Sequence, residues 1–401
     1  MRIGMALWSG AVFSVVAVVA GAPARGATQE NDADRTRIEA ALEKLRAQHE
    51  VPALGAAWFT AEKLGGSYVV GERAAGSAVA PGVDDAWHVG SCTKSMTATL
   101  LALLVERGDL KWETPLKKLL PDAAPTMDAA YRDLTLVELL AHRAGVPAMT
   151  GPDATLNRCA ALDVAPIEQR RQFTRAVLAL PPVSKPRGDQ LYSNAGIVIA
   201  GHVAEVAAGK PWEQLMQELL FEPLGMATAG FGAPGFADEL DQPRGHGEDG
   251  EAIEPGPEAD NPPLLGPAGT VHASLADWAK YLQLHLRGVK GDVKVGKITL
   301  RAATFAQMRT PYPPTSADRQ DRYGFGWVLP TREWATGDKL VMTHTGSNGL
   351  WYACCWLDPA GGYGMIAATN RASGQAPMAT DGAVVVMLQE YQAAAARAKK
   401  E

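Results

Sequence analysis

Cysteine is scarce in this chain. There are four in 401 residues: the adjacent Cys354 and Cys355, and the distant Cys92 and Cys159. That spacing offers no disulfide framework, and the four read as small buried hydrophobes. An excess of positive charge is also missing. Lys and Arg number 38 against 44 Asp and Glu, for a net charge of -6. The basic footprint of a nucleic-acid binder or of a polybasic membrane surface is therefore absent. Past the N-terminal stretch, no apolar run is long enough to span a bilayer. No Gly-x-Ser-x-Gly elbow occurs, which argues against an α/β-hydrolase. Gly291 to Lys297 imitates a phosphate loop but has Ile298 where Ser or Thr is required. His202, His246, His272 and His285 show no spacing that suggests a metal, so neither metal nor other cofactor is expected. What remains is an ordinary globular composition, 47% hydrophobic and 20% charged, in a chain that can bury a large core. The expected partner is a small-molecule or peptide substrate; the sequence does not fix an oligomeric state.

The chain starts with Arg2, an apolar run from Met5 to Gly21 and the triplet Ala22-Pro23-Ala24. This is the pattern of a cleavable export signal over residues 1–24. The run is short for a membrane span, and no Cys stands nearby to accept a lipid. A periplasmic or secreted protein with no stable span after cleavage is expected.

Periodicity then divides the chain. Asp32 to His49 has an apolar face of Ile38, Ala41, Leu42 and Leu45 and predicts a helix. Ala53 to Thr60 and Ser67 to Ala74 predict a hairpin turning at Gly65-Gly66. From Trp112 to about Leu286 the pattern is helical, strongest over Leu134 to Ala141, Ala195 to Ala208 and Trp212 to Phe221. Asp238 to Asp260 carries nine acidic residues and reads as a surface loop passing over a cleft. Short apolar segments return at Gly324 to Leu329, Leu340 to His344, Leu350 to Leu357 and Tyr363 to Thr369, with a tight turn at Asp358 to Gly362. A last helix is expected over Asp381 to Ala398. The fold class is α+β. Residues 28–115 and 290–401 form an antiparallel sheet flanked by helices, and 116–289 an inserted all-helical domain.

Chemistry concentrates at His88-Val89-Gly90-Ser91-Cys92-Thr93-Lys94, where an apolar helix begins. Residues three apart share a helical face, so the Lys94 amine lies beside the Ser91 hydroxyl, a nucleophile with a base attached. Ser-x-x-Lys alone is weak evidence. Here it is joined by Tyr192-Ser193-Asn194 ahead of a helix and by His344-Thr345-Gly346-Ser347 at the end of a strand. Taken singly, Ser91 reads as a helix cap, Lys94 as a solvated first-turn residue, Tyr192 as a core aromatic and His344 as a satisfied strand histidine; their joint order outweighs those readings.

With these motifs the chain resembles the serine β-lactamase and penicillin-binding-protein superfamily on its class C side. That branch also holds D-alanyl-D-alanine carboxypeptidases, D-aminopeptidases and family VIII carboxylesterases. Tyr-Ser-Asn and His-Thr-Gly stand where class A enzymes have Ser-Asp-Asn and Lys-Thr-Gly. Further similar stretches are Leu136 to Pro147, Phe221 to Met226 and Tyr323-Gly324-Phe325-Gly326-Trp327. The resemblance implies an acyl-enzyme on Ser91, with Lys94 and Tyr192 as bases and Asn194 holding the Lys and the substrate amide. It further implies backbone donors at Ser91 and Ser347 for the oxyanion, with Gly346 keeping the strand edge open. Thr345 belongs to the same edge, and Asn370 matches a polar position near a carboxylate pocket. His344 departs from the Lys or Arg that commonly holds a carboxylate, and a neutral imidazole holds an anion less firmly. An esterase or D-amino-acid peptidase is therefore expected ahead of a β-lactamase. The competing classes are a penicillin-recognising sensor that is acylated without turnover and a solute binder. His142 is expected to be structural, bonding backbone near Gly145, and Trp212, Trp278 and Trp327 to be core.

Overall fold

The computed structural model describes residues 32–312 and 322–399; the expected export signal lies outside the described residues. Helix α1 (Asp32–Gln48) leads into strands β1 (Ala53–Thr60) and β2 (Leu64–Gly71). After β3 (Ala86–His88) comes α2 (Thr93–Glu106), then a largely helical stretch containing β4 (Gly230–Phe231) and β5 (Val271–Ser274). A small hairpin, β6 (Val293–Val295) and β7 (Ile298–Leu300), precedes β8 (Met342–Ser347), β9 (Tyr352–Asp358) and β10 (Tyr363–Thr369). The main sheet is antiparallel, in the order β2-β1-β10-β9-β8, so the two ends of the chain meet at the β1–β10 pair.

Successive side chains of a strand point to opposite faces, and here both faces are covered. Leu54, Ala56 and Trp58 of β1, with Met365 and Ala367 of β10, pack on Ile38 and Leu42 of α1 and on Ala379, Ala383 and Met387 of the last helix, Ala376–Ala398. The alternate residues Ala57, Phe59, Ile366 and Ala368 join the larger core with Trp87, Met96 and Trp278. Burial on both sides explains why these strands read as apolar runs rather than as an alternation. Each large side chain so buried contributes about 1.5–3 kcal/mol.

The helical half is organised by Asn194–Ala208. Ser193 caps it, its Oγ accepting from Gly196 N at 3.0 Å, and it ends on Gly209 in the left-handed region, φ 66°. Arg170 of helix Pro166–Leu178 is fully buried and ties this half together. It donates to Glu205 at 2.7 Å, Glu213 at 2.8 Å and the Pro263 carbonyl at 2.9 Å.

Several expectations are corrected. The first hairpin turns at Ala61 to Lys63, and Gly65 and Gly66 lie inside β2, where a Cβ would strike the Trp58 ring and the Tyr68 side chain. Gly324 to Leu329 forms only isolated bridges, Tyr323 with Val328 and Val328 with Thr343, in place of a strand. The last helix begins at Ala376, before the expected Asp381. Helix Leu275–Lys290, assigned from sequence to the helical middle, packs instead on β1 and β10. The acidic segment is a surface loop as expected, but it is pinned at three points. Gln242 accepts from Ala86 N at 2.7 Å, buried Arg244 donates to the Ala237 and Glu239 carbonyls at 3.1 Å, and His246 is fully buried against Asn370. Its charge count hid these anchors, because three neutral or cationic side chains do the fastening.

Candidate active site

Ser91 lies in a single 3-10 turn, Gly90–Cys92, that runs directly into α2. Gly90 sits in the left-handed region at φ 50°. A Cβ on it would meet the backbone of Gly346 and Ser347, and a Cβ on Gly346 would meet the Val89 carbonyl and lie 2.6 Å from Ser91 N. Only two glycines allow this backbone-to-backbone approach. It brings the end of β8, with Ser347, against the turn that carries Ser91.

One turn into α2, Lys94 is completely buried. Its Nζ donates to Ser91 Oγ at 2.8 Å and to the Ala268 carbonyl at 2.7 Å. No carboxylate accompanies it among these partners. Burial consequently lowers the ammonium from 10.5 to about 7, so a large fraction is neutral amine at physiological pH. Nζ also stands 5.0 Å from the centre of the Tyr192 ring. Burial raises the Tyr192 phenol above its ordinary value of 10, with the interaction with Ser91 opposing in part, so the phenol stays protonated at neutral pH.

A cavity of about 460 Å³ opens in front of Ser91. Tyr192, Tyr323 and Tyr352 supply aromatic wall, Gln190 and Arg322 polar wall, and His344 to Ser347 the strand edge. Ser91, Lys94, Tyr192, His344, Thr345, Gly346 and Ser347 are thus brought together from separate parts of the chain.

Asn194 and Asn370 are placed differently. Asn194 Nδ2 donates to the Met149 carbonyl at 2.9 Å, while the two partners of Lys94 are Ser91 and Ala268, so the expected Asn-to-Lys bond is not made. Asn194 Oδ1 is buried without a partner among the described residues. Asn370 does not face the cavity. Fully buried, it accepts from Ala53 N at 2.8 Å and donates to the Arg73 carbonyl at 3.1 Å, stitching the chain ends.

His344 is 4% exposed, and both its nitrogens are taken. Nδ1 lies 2.5 Å from the Thr345 carbonyl, which can only accept, so Nδ1 carries the hydrogen. Nε2 then accepts from the Tyr323 hydroxyl at 2.9 Å. Burial, with Lys94 nearby, pushes the imidazole down to about 3 and keeps it neutral. His142 forms a second layer. Its Nδ1 accepts from Ser193 N at 3.2 Å, in place of the expected backbone near Gly145, and its ring packs 4.5 Å from Tyr192 and 4.7 Å from Tyr323. Burial holds it well below its ordinary range too. Sequence reasoning passed over Gln190, Arg322 and Tyr352, and gave His142 a structural role only. Only Tyr323 and His142 stood in stretches that signalled anything, as parts of the Tyr-Gly-Phe-Gly-Trp and Leu136 to Pro147 matches.

An amine lowered to about 7 on a serine hydroxyl, a protonated phenol beside both and the Ser91 and Ser347 backbone at the cavity are parts suited to acyl transfer. Comparison with known proteins agrees with this chemistry. A family model described as Beta-lactamase matches residues 38–387. The chain is 29% identical over 341 residues to "Penicillin-binding protein 4" of Amycolatopsis lactamdurans, covering 84% of each protein. It is 30% identical over 156 residues, 39% of each protein, to the "D-alanyl-D-alanine-carboxypeptidase/endopeptidase AmpH" of Escherichia coli strain K12. Its fold is similar to that of a "Beta-Lactamase/D-Alanine Carboxypeptidase from Pseudomonas syringae", with TM-score 0.70, 17% identity, and 88% of this chain and 98% of that one covered.

Proposed function

The chain belongs to the beta-lactamase family, and on that premise we propose that it is an exported serine hydrolase working through an acyl-enzyme on Ser91. Its substrate is an ester, amide or β-lactam carbonyl, with esters and D-amino-acid peptides ranked ahead of β-lactams. The observation that carries the reading is the 2.8 Å bond between Lys94 Nζ and Ser91 Oγ, made by an amine lowered to about 7. Lys94 takes the Ser91 proton as Oγ attacks the carbonyl carbon. Tyr192, as a protonated phenol, relays that proton to the leaving group and then helps orient the water that cleaves the ester. The N–H groups of Ser91 and Ser347 receive the oxyanion, an interaction worth several kcal/mol. Asn194, bonded to the Met149 carbonyl, acts by tying the segment at Met149 to the start of the helix that follows Tyr192.

His344 supports the ranking of substrates, because its buried, neutral ring gives the strand edge no charge. Arg322 on the cavity wall favours one refinement, a peptide whose free carboxylate reaches that guanidinium. No helix among the described residues is long and apolar enough to cross a membrane, which is compatible with export.

Incubating the protein with a p-nitrophenyl ester, a D-alanyl peptide and a fluorescent penicillin side by side tests the reading. Ser91→Ala is expected to lose at least ~1000-fold in turnover and all covalent labelling. Labelling that persists in the variant refutes the Ser91 assignment, and labelling of the parent protein with no turnover of any substrate supports a sensor instead.

A further inference from the structure

The acidic segment ends on a buried carboxylate that touches residues next to both expected oxyanion donors, His88 near Ser91 and Asn348 beside Ser347. Asp260 Oδ1 lies 2.7 Å from His88 Nε2, and the imidazole is fully buried. The same oxygen accepts from Asn348 Nδ2 at 3.1 Å and from Asn261 N at 2.7 Å. His88 and Asn348 are not arbitrary neighbours. His88 Nδ1 accepts from Gly90 N at 3.1 Å, so Nε2 carries the hydrogen and faces Asp260, its N–H axis off the line to Oδ1. Asn348 directly follows Ser347, and its Oδ1 accepts from Leu350 N and Trp351 N at 3.1 Å, setting the turn after β8. Asn261 Nδ2 reaches the Gly269 carbonyl at 3.0 Å, one residue beyond the Ala268 carbonyl that holds Lys94.

We propose that Asp260 is a positioning residue for acyl transfer, acting through His88 on the Val89–Gly90 peptide that precedes the Ser91 N–H and through Asn348 on Ser347. It rests on the reading of Ser91 and Ser347 as oxyanion donors. Gly90 has a left-handed backbone, so nothing in its own torsional preference fixes the direction of its N–H; the His88 ring does. A carboxylate facing Nε2–H strengthens Nδ1 as an acceptor and holds that peptide turned away from the cavity, leaving the Ser91 N–H to face the substrate. On the other wall the same carboxylate oxygen anchors the residue after Ser347. One rigid group thus spans the two donors, and their separation follows from it. Placing such donors to within a fraction of an ångström is what their contribution depends on.

The test uses the full protein and a serine-directed fluorophosphonate, with p-nitrophenyl butyrate for turnover and phenylboronic acid as a mimic of the anionic tetrahedral adduct. Asp260→Ala is expected to lower the labelling rate and kcat by ~10–100-fold, to weaken phenylboronic acid by a similar factor and to leave KM within about threefold. Asp260→Asn keeps the shape and the Oδ1 acceptor but loses the charge; it should fold whatever the alanine variant does and lose ~3–10-fold in the same two readouts. Asp260→Asn at the parent's rate and boronate affinity overturns the proposal. So does a loss in Asp260→Ala confined to KM, which would make the residue an anchor for the loop alone. Failure of the Ser91 reading looks different: the parent protein is then unlabelled, or Ser91→Ala is labelled.

Discussion

The Tyr323 hydroxyl donates to His344 Nε2 across 2.9 Å, and this bond decides what the Thr-Gly strand edge can offer a substrate. With Nδ1 on the Thr345 carbonyl, the imidazole has no free N–H for the cavity and no charge to give. His344→Lys replaces it with an ammonium near Lys94. Like charges disfavour each other, so the acid limb of the pH–rate profile for kcat/KM should move further below 7 by up to about one pH unit. Carboxylate-bearing penicillins should be acylated a few-fold to ~30-fold faster, and neutral esters no faster. The ratio of acylation rates for a penicillin and a p-nitrophenyl ester measures this. An equal change for both would show that the strand edge does not read the carboxylate.

Lys94 sets a second expectation. Activity needs the neutral amine, so kcat/KM should rise with pH through about 7 and then level. His344 and His142 are neutral across that range, and the limb should fit a single proton. Tyr192→Phe should leave the limb in place while slowing turnover ~100-fold or more. The stability effect has a definite sign. The folded ammonium is lowered relative to the unfolded one, so the unfolded state binds the extra proton between about 7 and 10.5. The resulting opposition to folding is full below 7, up to about 5 kcal/mol, and fades as pH rises towards 10.5. Lys94→Met should therefore be inactive but more stable at pH 6, by about 2 kcal/mol once its two lost hydrogen bonds are counted. Urea unfolding of both proteins at pH 6 and pH 9 checks it, the gap narrowing at the higher pH.

Gly346→Ala tests the backbone contact between β8 and the serine turn. The added methyl would press on the Val89 carbonyl and stand 2.6 Å from Ser91 N, so the strand or the turn must move. A stability loss of about 1–3 kcal/mol is expected from overpacking. Labelling of Ser91 should slow by ~100-fold or more, because a donor is displaced from the oxyanion position. Labelling at the parent's rate with unchanged stability would show that the two segments do not touch.

The sequence by itself determined what is local. Lys94 follows Ser91 by three residues, and helical geometry turns that spacing into the observed bond. Gly108 stops α2 with a left-handed backbone, and Asp358 to Gly362 closes the β9–β10 hairpin, each for torsional reasons written in a few adjacent residues. Periodicity carried the α+β class and the strand end at His344 to Ser347, and resemblance the family and the roles expected of that edge. Only the tertiary structure decided the rest. A long-range partner has no periodicity to betray it: Asp260 looked like one more acid in an acidic run until the fold set it against His88 and Asn348. Burial likewise belongs to no single residue. It is what lowers Lys94 to about 7, keeps His344 and His142 neutral and turns Asn370 from a pocket residue into a stitch between the chain ends. Desolvation depends on everything packed around a group, and that packing is fixed only when distant segments meet.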